Sequence, residues 1–180
     1  MTSATDSIEL SLKKKILTVD PLGLEPIPDD TRERFLQFKL LDTYKTLLSF
    51  QSIVEIQQLS SLDILPVPEI MSPMLGVYNW RSEMLWLADL NALVGNRPLW
   101  YGESYLEQAI VIVVQSPQTT LGLVVEQVND IELIDPAEIY QQADWYPSGL
   151  GPYIHGCLTG HQGIILDAAA IIAQLSQKIA

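Results

Sequence analysis

The sequence is poor in cysteine, in long apolar runs and in N-terminal targeting signals. Cys157 is the only cysteine among 180 residues, so no intramolecular disulfide can form and no oxidising compartment is indicated. The longest uncharged apolar run, residues 109–114, is far shorter than the roughly 20 residues that a membrane-spanning helix needs. No apolar stretch of signal-peptide length stands near the start of the sequence. These absences predict a soluble, cytoplasmic protein.

Positive charge is also scarce. Lys and Arg total 10 against 22 Asp and Glu, which gives a formal net charge of −12. Nucleic acids and anionic membrane surfaces both require clustered Lys and Arg, so we expect neither nucleic-acid binding nor direct membrane binding. We interpret the acidity as a source of solubility, with the alternative that it steers a basic partner surface toward the protein.

Apolar residues make up 48% of the sequence, enough to bury a sizeable core. Residues 1–30 differ from the rest because Ser and Thr dominate their start and prolines stand at positions 21, 26 and 28. Proline removes a backbone donor and disfavours regular structure in the residue before it. We therefore predict a flexible N-terminal tail over residues 1–30 and a folded domain over residues 31–180.

The folded part shows the alternation of apolar and polar residues that is typical of half-buried strands. Leu36, Phe38 and Leu40 share one face of an extended segment, while Gln37 and Lys39 point the other way. The same reasoning gives strands at residues 35–40, 45–50, 53–56, 77–80, 84–87, 109–115, 121–128, 156–159 and 164–166. Many short strands with few helices favour small barrels over a parallel sheet flanked by helices.

One succession of elements occurs twice, at residues 76–94 and again at residues 156–178. Each copy reads glycine, strand, turn, strand, aspartate and helix, with Asp89 and Asp167 as the helix caps. We interpret the repetition as two similar β-rich lobes, one over roughly residues 31–100 and the other over roughly residues 101–180.

Four sequence elements in order resemble the CheW family of signalling adaptors. Residues 75–90, LGVYNWRSEMLWLADL, resemble the family signature G-V-x-N-L-R-G with four apolar-rich positions and D-L after it. Residues 53–56 resemble its V-x-E-I element, residues 65–68 the loop before the signature, and residues 122–128 its G-L-x-V-D-x-V strand. Any one motif is weak, but four in the family order are specific.

The resemblance implies a mainly β, CheW-like fold: two five-stranded Src-homology-3-like barrel lobes, between which strands can be exchanged, with a few short helices and a C-terminal helix. It implies a non-catalytic adaptor that couples methyl-accepting chemotaxis-type receptors to a CheA-type histidine kinase in a two-component pathway controlling motility. The implied partners are the kinase regulatory domain and the cytoplasmic helical hairpin of the receptor, and the implied location is the cytoplasm beside membrane-bound receptor arrays. The sequence of residues 79–87 resembles that of the family branch that serves type IV pilus gliding and phototaxis.

Two positions depart from the family pattern. Ser82 stands where the family usually has glycine, and Trp86 stands where it often has proline. If the turn requires a positive φ, serine carries a strain cost there. An alternative function is therefore a specialised adaptor that binds the kinase but not the receptors.

Six residues are the candidate protein-binding positions: Ile53, Glu55, Ile56, Asn79, Arg81 and Ser82. Arg81 is expected to reach a partner carboxylate or carbonyl from its turn, with an internal ion pair to Glu55 as the alternative. Ile53 is expected to face a partner helix, whereas Ile56 is expected in the core. Asn79 is expected to hydrogen-bond the turn backbone.

Trp80 and Trp86 lie on opposite strands of one predicted hairpin, and we expect them to pair across it.

Enzyme functions find little support. His155, Cys157 and His161 form the one cluster of metal-ligand type, but a zinc site normally needs three or four ligands in a defined geometry. The sequence contains no phosphate-binding loop, dinucleotide-binding motif or nucleophile elbow. We therefore expect no catalytic residue, no cofactor, no metal and no small-molecule substrate, with a metal-dependent enzyme as the least favoured alternative.

Overall fold

A computed structural model of the chain describes residues 30–42, 44–70, 72–99, 108–141, 146, 149–160 and 163–179. Within these residues the protein is mainly β, as predicted, with two sheets and two short α-helices. The predicted N-terminal tail lies outside the described residues except for Asp30, and the predicted domain limits stay a prediction.

Eleven strands, two α-helices and four short 3₁₀-helices make up the regular structure of the described residues. The strands are β1 (Glu33–Lys39), β2 (Lys45–Ser49), β3 (Ile53–Ser60), β4 (Met74–Trp80), β5 (Glu83–Asp89), β6 (Gln108–Gln115), β7 (Thr120–Val125), β8 (Gln127–Ile134), β9 (Ile139–Tyr140), β10 (Ile154–Leu158) and β11 (Gly163–Leu166). The helices are α1 (Leu90–Leu93) and α2 (Ala168–Ser176).

The two sheets have corresponding strand orders. The first sheet runs β8-β1-β2-β11-β10-β9 and the second runs β3-β6-β7-β5-β4. In each, one antiparallel hairpin (β1–β2 or β6–β7) meets a second hairpin through a parallel pair, β2 with β11 and β7 with β5. The strand after each first hairpin crosses to the other sheet, since β3 pairs with β6 and β8 pairs with β1. Each sheet therefore combines strands from both halves of the chain.

Two details differ from the sequence-based expectation. The first sheet has six strands rather than five, because the short strand β9 pairs with β10. The single strand predicted over residues 121–128 is wrong: the chain leaves β7 at Val125, bends at Glu126 and continues as β8 in the other sheet. Glu126 and its neighbours Val125 and Gln127 include no glycine or proline, so no turn residue marks the change of sheet.

Both predicted aspartate caps are confirmed. Asp89 Oδ1 accepts a hydrogen bond from the Ala92 backbone N–H at 3.1 Å, at the start of α1. Asp167 Oδ1 accepts hydrogen bonds from the backbone N–H groups of Ala169 and Ala170 at 2.8 and 3.1 Å, at the start of α2. Each carboxylate satisfies backbone donors that the first helical turn leaves without partners.

The core has a part shared by both sheets and a part belonging to each sheet alone. Strand β6 shows why, because Val111 and Val113 pack into the core of the second sheet, while Ile112 and Val114 pack into the shared core. The shared core also receives α2, through Ile171 among others. A strand buried on both faces needs apolar residues in succession, which accounts for the run at residues 109–114.

Candidate functional site

Three of the residues discussed above meet where β3 approaches the β4–β5 turn. Arg81 Nη2 donates to Glu55 Oε2 at 2.7 Å, and the Trp80 indole Nε1 donates to the same oxygen at 3.2 Å. The Arg81 guanidinium also lies over the Trp80 ring, with its central carbon 4.7 Å from the ring centroid. The ion pair between Arg81 and Glu55, given above as the alternative to a partner contact, is present. We call Glu55, Trp80 and Arg81 the charged triad.

The turn that carries Arg81 is backbone-strained. Trp80 pairs with Glu83, so Arg81 and Ser82 are the two turn residues of the hairpin, and their φ angles are +53° and +68°. Two-residue hairpins with two positive φ angles are of type I′, where glycine and asparagine are normally found. Serine at position 82 thus adopts the backbone conformation that a glycine would adopt there.

The strain energy of this turn is larger than the stabilisation that its ion pair provides. The left-handed conformation costs roughly 1–2 kcal/mol for each residue with a β-carbon. The side chains of Arg81 and Glu55 are 64% and 32% exposed, and an ion pair this exposed contributes only about 0.2–1 kcal/mol. Strain that local contacts do not offset is typical of functional sites.

Gly76 holds the hairpin against the segment after β3. Leu65 and Val77 exchange backbone hydrogen bonds of 2.8 and 2.9 Å, which joins this segment to β4. Gly76 has a φ of +144°, and a β-carbon there would lie 2.2 Å from the Leu65 carbonyl oxygen. The first glycine of the signature therefore permits a backbone approach that brings β3 and the β4–β5 turn together.

Three apolar side chains are exposed on β3 and β5, close in sequence to the triad residues. Val54 and Ile56 on β3 are exposed to 38% and 37%, and Met84 on β5 is exposed to 70%. The expectation that Ile56 belongs to the core is wrong. Strand β3 lies at the edge of its sheet, and among the described residues no further strand pairs with its outer side. Ile53 is half-buried and packs against the shared core.

A groove lies beside the beginning of β3. Its lining comes from the segment before β3 and from the β6–β7 turn: Gln51, Ser52, Ile53, Val54, Gln115, Ser116 and Pro117. The Ser116 side chain and backbone organise that turn through hydrogen bonds with Thr119. The groove has a volume of about 490 Å³ and brings the candidate residue Ile53 to a concave surface.

The remaining candidates lie on the same hairpin. Asn79 is exposed and lies opposite Met84 in the β4–β5 register, and Ser82 is exposed in the turn. The structure thus brings Glu55 and Arg81 into contact and leaves Asn79 and Ser82 at the surface beside them.

Sequence reasoning missed the role of Trp80. The expected pairing of Trp80 with Trp86 is wrong, because Trp80 lies opposite Glu83 and Trp86 lies opposite Val77. Trp80 packs against the core of the second sheet, and Trp86 packs against the shared core. A two-residue turn at Arg81 and Ser82 sets Trp80 opposite Glu83 and therefore cannot pair it with Trp86, whereas the indole contact with Glu55 depends on a strand 25 residues away.

The residues proposed for a metal site do not form one within the described part of the chain. His155 is exposed, Cys157 is buried, and His161 lies outside the described residues. Burial raises the pKa of the Cys157 thiol, whereas a thiolate ligand or nucleophile requires a lowered pKa. No group of three His, Cys, Asp or Glu side chains with metal-binding geometry is found among the residues that the structure describes.

Comparison with known families agrees with this architecture. The CheW-like domain family matches residues 34–176. The chain belongs to this family. A crystal structure of the scaffolding protein TtCheW from Thermoanaerobacter tengcongensis is similar to this CheW-like chain, with a TM-score of 0.62 and 20% sequence identity over 76% of this chain and 89% of that one. The predicted CheW-like fold is therefore confirmed.

One further comparison and one property of the helices concern this CheW-like chain. A search of curated proteins returns no match. None of the helices in the described ranges has the length and apolar character needed to cross a membrane.

Proposed function

We propose that this CheW-like protein is a non-catalytic adaptor that couples receptors of the methyl-accepting chemotaxis type to a CheA-type histidine kinase. The observation that carries the proposal is the charged triad, displayed on a strained turn at the surface of a CheW-like domain. A scaffold requires fixed, accessible side chains rather than a nucleophile, and this surface supplies them.

The receptor contact is assigned to the groove beside β3. Ile53 and Val54 line this groove, and an apolar groove of this kind can receive the apolar face of a partner helix. Arg81 is exposed on the β4–β5 turn and supplies donors for a carboxylate or carbonyl of the partner. Aliphatic anchors flanked by a charged rim are the usual composition of such interfaces.

The kinase contact is assigned to the edges of the two sheets. Strand β8 exposes Ile131 and Leu133 to 52% and 48%, and β3 exposes Ile56 to 37% outside the groove. Strands β3 and β8 occupy corresponding outer positions in the two sheets, so each sheet offers an apolar edge. A kinase regulatory domain of similar architecture would meet one edge with its own, as the family resemblance implies.

The proposed location of the adaptor is the cytoplasm, beside the membrane. The adaptor works in the cytoplasm, is recruited to membrane-bound receptor arrays by its protein partners, and contributes to the control of motility. The net charge of −12 supports recruitment through proteins, because direct binding to an anionic membrane would require clustered basic residues.

The test is a binding experiment with purified fragments. The full chain is titrated separately with the regulatory domain of the CheA-type kinase and with the cytoplasmic hairpin of a receptor, both from the same genome. Binding to both supports the adaptor function. Binding to the kinase alone supports the specialised adaptor, and binding to neither contradicts the proposal.

A further inference from the structure

One carboxylate oxygen in the charged triad accepts two donors. Glu55 Oε2 accepts from Arg81 Nη2 at 2.7 Å and from Trp80 Nε1 at 3.2 Å. The two donors are adjacent in the chain, but their surroundings differ. The Trp80 ring packs against the core of the second sheet, whereas the Arg81 side chain is 64% exposed.

The geometry points to Trp80 as the positioning residue of this surface, whose indole N–H retains Glu55 when Arg81 turns to a partner. The inference rests on the proposed function. An indole has only two side-chain torsions, and this ring is fixed by packing, so its donor stays in place. A guanidinium at the end of a flexible, exposed side chain is free to exchange one carboxylate for another.

The exchange has a clear chemical requirement. If Arg81 leaves Glu55 for a carboxylate of the partner, a half-buried carboxylate remains behind, and a carboxylate without a donor is costly. The Trp80 N–H supplies that donor before and after the exchange. The indole also covers one face of the Arg81 guanidinium, so a partner carboxylate must approach the uncovered edge of the guanidinium.

The free protein provides the first test. The indole N–H signal of Trp80 is monitored by heteronuclear NMR, with Trp80→Phe used to assign it and Trp86→Phe as the control that must leave it in place. We expect Glu55→Ala to shift this signal to the position of an indole without a strong acceptor, and Arg81→Ala to leave it near its original position. A shift in Arg81→Ala as large as in Glu55→Ala would overturn the inference, because Trp80 would then depend on Arg81 for its contact.

Partner binding provides the second test. Trp80→Phe keeps an aromatic ring but loses the donor, and we expect it to weaken binding of the partner that engages Arg81 by about 5- to 10-fold. Trp86→Phe is expected to bind as the unaltered protein does. Equal affinity of Trp80→Phe and the unaltered protein would also overturn the inference.

The two tests separate the inference from the function on which it rests. If the unaltered protein binds neither kinase nor receptor, the proposed function fails while the NMR result still decides whether Trp80 holds Glu55 independently of Arg81. If the partners bind and the indole signal depends on Arg81, the proposed function stands and the inference fails.

Discussion

Gly76 approaches Leu65 so closely that a β-carbon on Gly76 would lie 2.2 Å from the Leu65 carbonyl oxygen. This contact joins β4 to the segment after β3 and thereby places the β4–β5 turn beside Glu55. The stability of the domain and the geometry of its candidate binding surface therefore depend on the same glycine.

Replacing Gly76 with alanine is expected to destabilise the domain by about 3 kcal/mol or more, because the β-carbon would collide with backbone atoms and the φ of +144° is unfavourable for alanine. Urea denaturation measures the change. Gly95→Ala is the matched control, since Gly95 also has a positive φ but has open space around its β-carbon position. Its expected cost is about 1–2 kcal/mol. Equal costs for the two variants would show that the close approach does not matter.

Reversing the charge of Arg81 is expected to weaken binding of one partner by about 2–4 kcal/mol, as at an interface hot spot. The fold should persist, because an exposed ion pair contributes little to stability. Calorimetric titration of Arg81→Glu with the kinase and receptor fragments measures the loss. Lys178→Glu makes the same change of charge on the exposed end of the C-terminal segment and should bind normally. Unchanged affinity of Arg81→Glu for both partners would remove Arg81 from the proposed surface.

Replacing Ser82 with glycine is expected to stabilise the protein by about 0.5–1 kcal/mol, since glycine adopts a φ near +68° without the penalty of a β-carbon. Ser82→Ala keeps the β-carbon and should leave stability nearly unchanged. Thermal unfolding of both variants distinguishes the backbone effect from loss of the hydroxyl group. A stabilised alanine variant would contradict this explanation.

The two helix caps are expected to differ in strength. Asp89 is buried and accepts hydrogen bonds from the backbone N–H groups of both Ala92 and Leu99, so Asp89→Ala should cost about 2–3 kcal/mol. Asp167 is more exposed, and Asp167→Ala should cost about 1 kcal/mol. Denaturant midpoints of the two variants measure both losses of stability. A larger loss in Asp167→Ala than in Asp89→Ala would contradict the prediction.

Stability is expected to fall in alkaline solution. Burial raises the pKa of Cys157 above 9.0 and the pKa of Tyr153 above 10.0, so the unfolded chain loses these protons at lower pH than the folded protein does. Between the unfolded and folded pKa values the unfolded state binds fewer protons, and the free energy of unfolding therefore decreases as pH rises. Urea midpoints measured from pH 8 to pH 10.5 check this. Cys157→Ser should show a shallower decline, and an identical decline would exclude the thiol as a contributor.

Local features of the chain were predictable from the sequence. The alternation over residues 35–40, the hairpin strands at residues 77–80 and 84–87 and the aspartate caps depend on contacts within a few residues, so composition and spacing reveal them. The Glu55–Arg81 pair was also anticipated, because the family motifs that contain these residues indicated their importance.

Features that depend on distant parts of the chain were not predictable. The bend at Glu126 sends β8 to the other sheet, although no glycine or proline marks it. Ile56 resembles a core residue in sequence, yet it is exposed because β3 lies at the edge of its sheet. The contact of Trp80 with Glu55 joins β4 to β3, two strands that are not neighbours in the sheet.

The sequence by itself determined the family, the two aspartate caps and the strands other than β8 and β9, because these depend on local periodicity and on residue types at short spacing. Only the tertiary structure decided which strands share a sheet, which aliphatic side chains face solvent and which donors reach Glu55. The physical reason is that pairing between strands and burial of their faces are set by the whole set of packed segments, and no single segment contains that information.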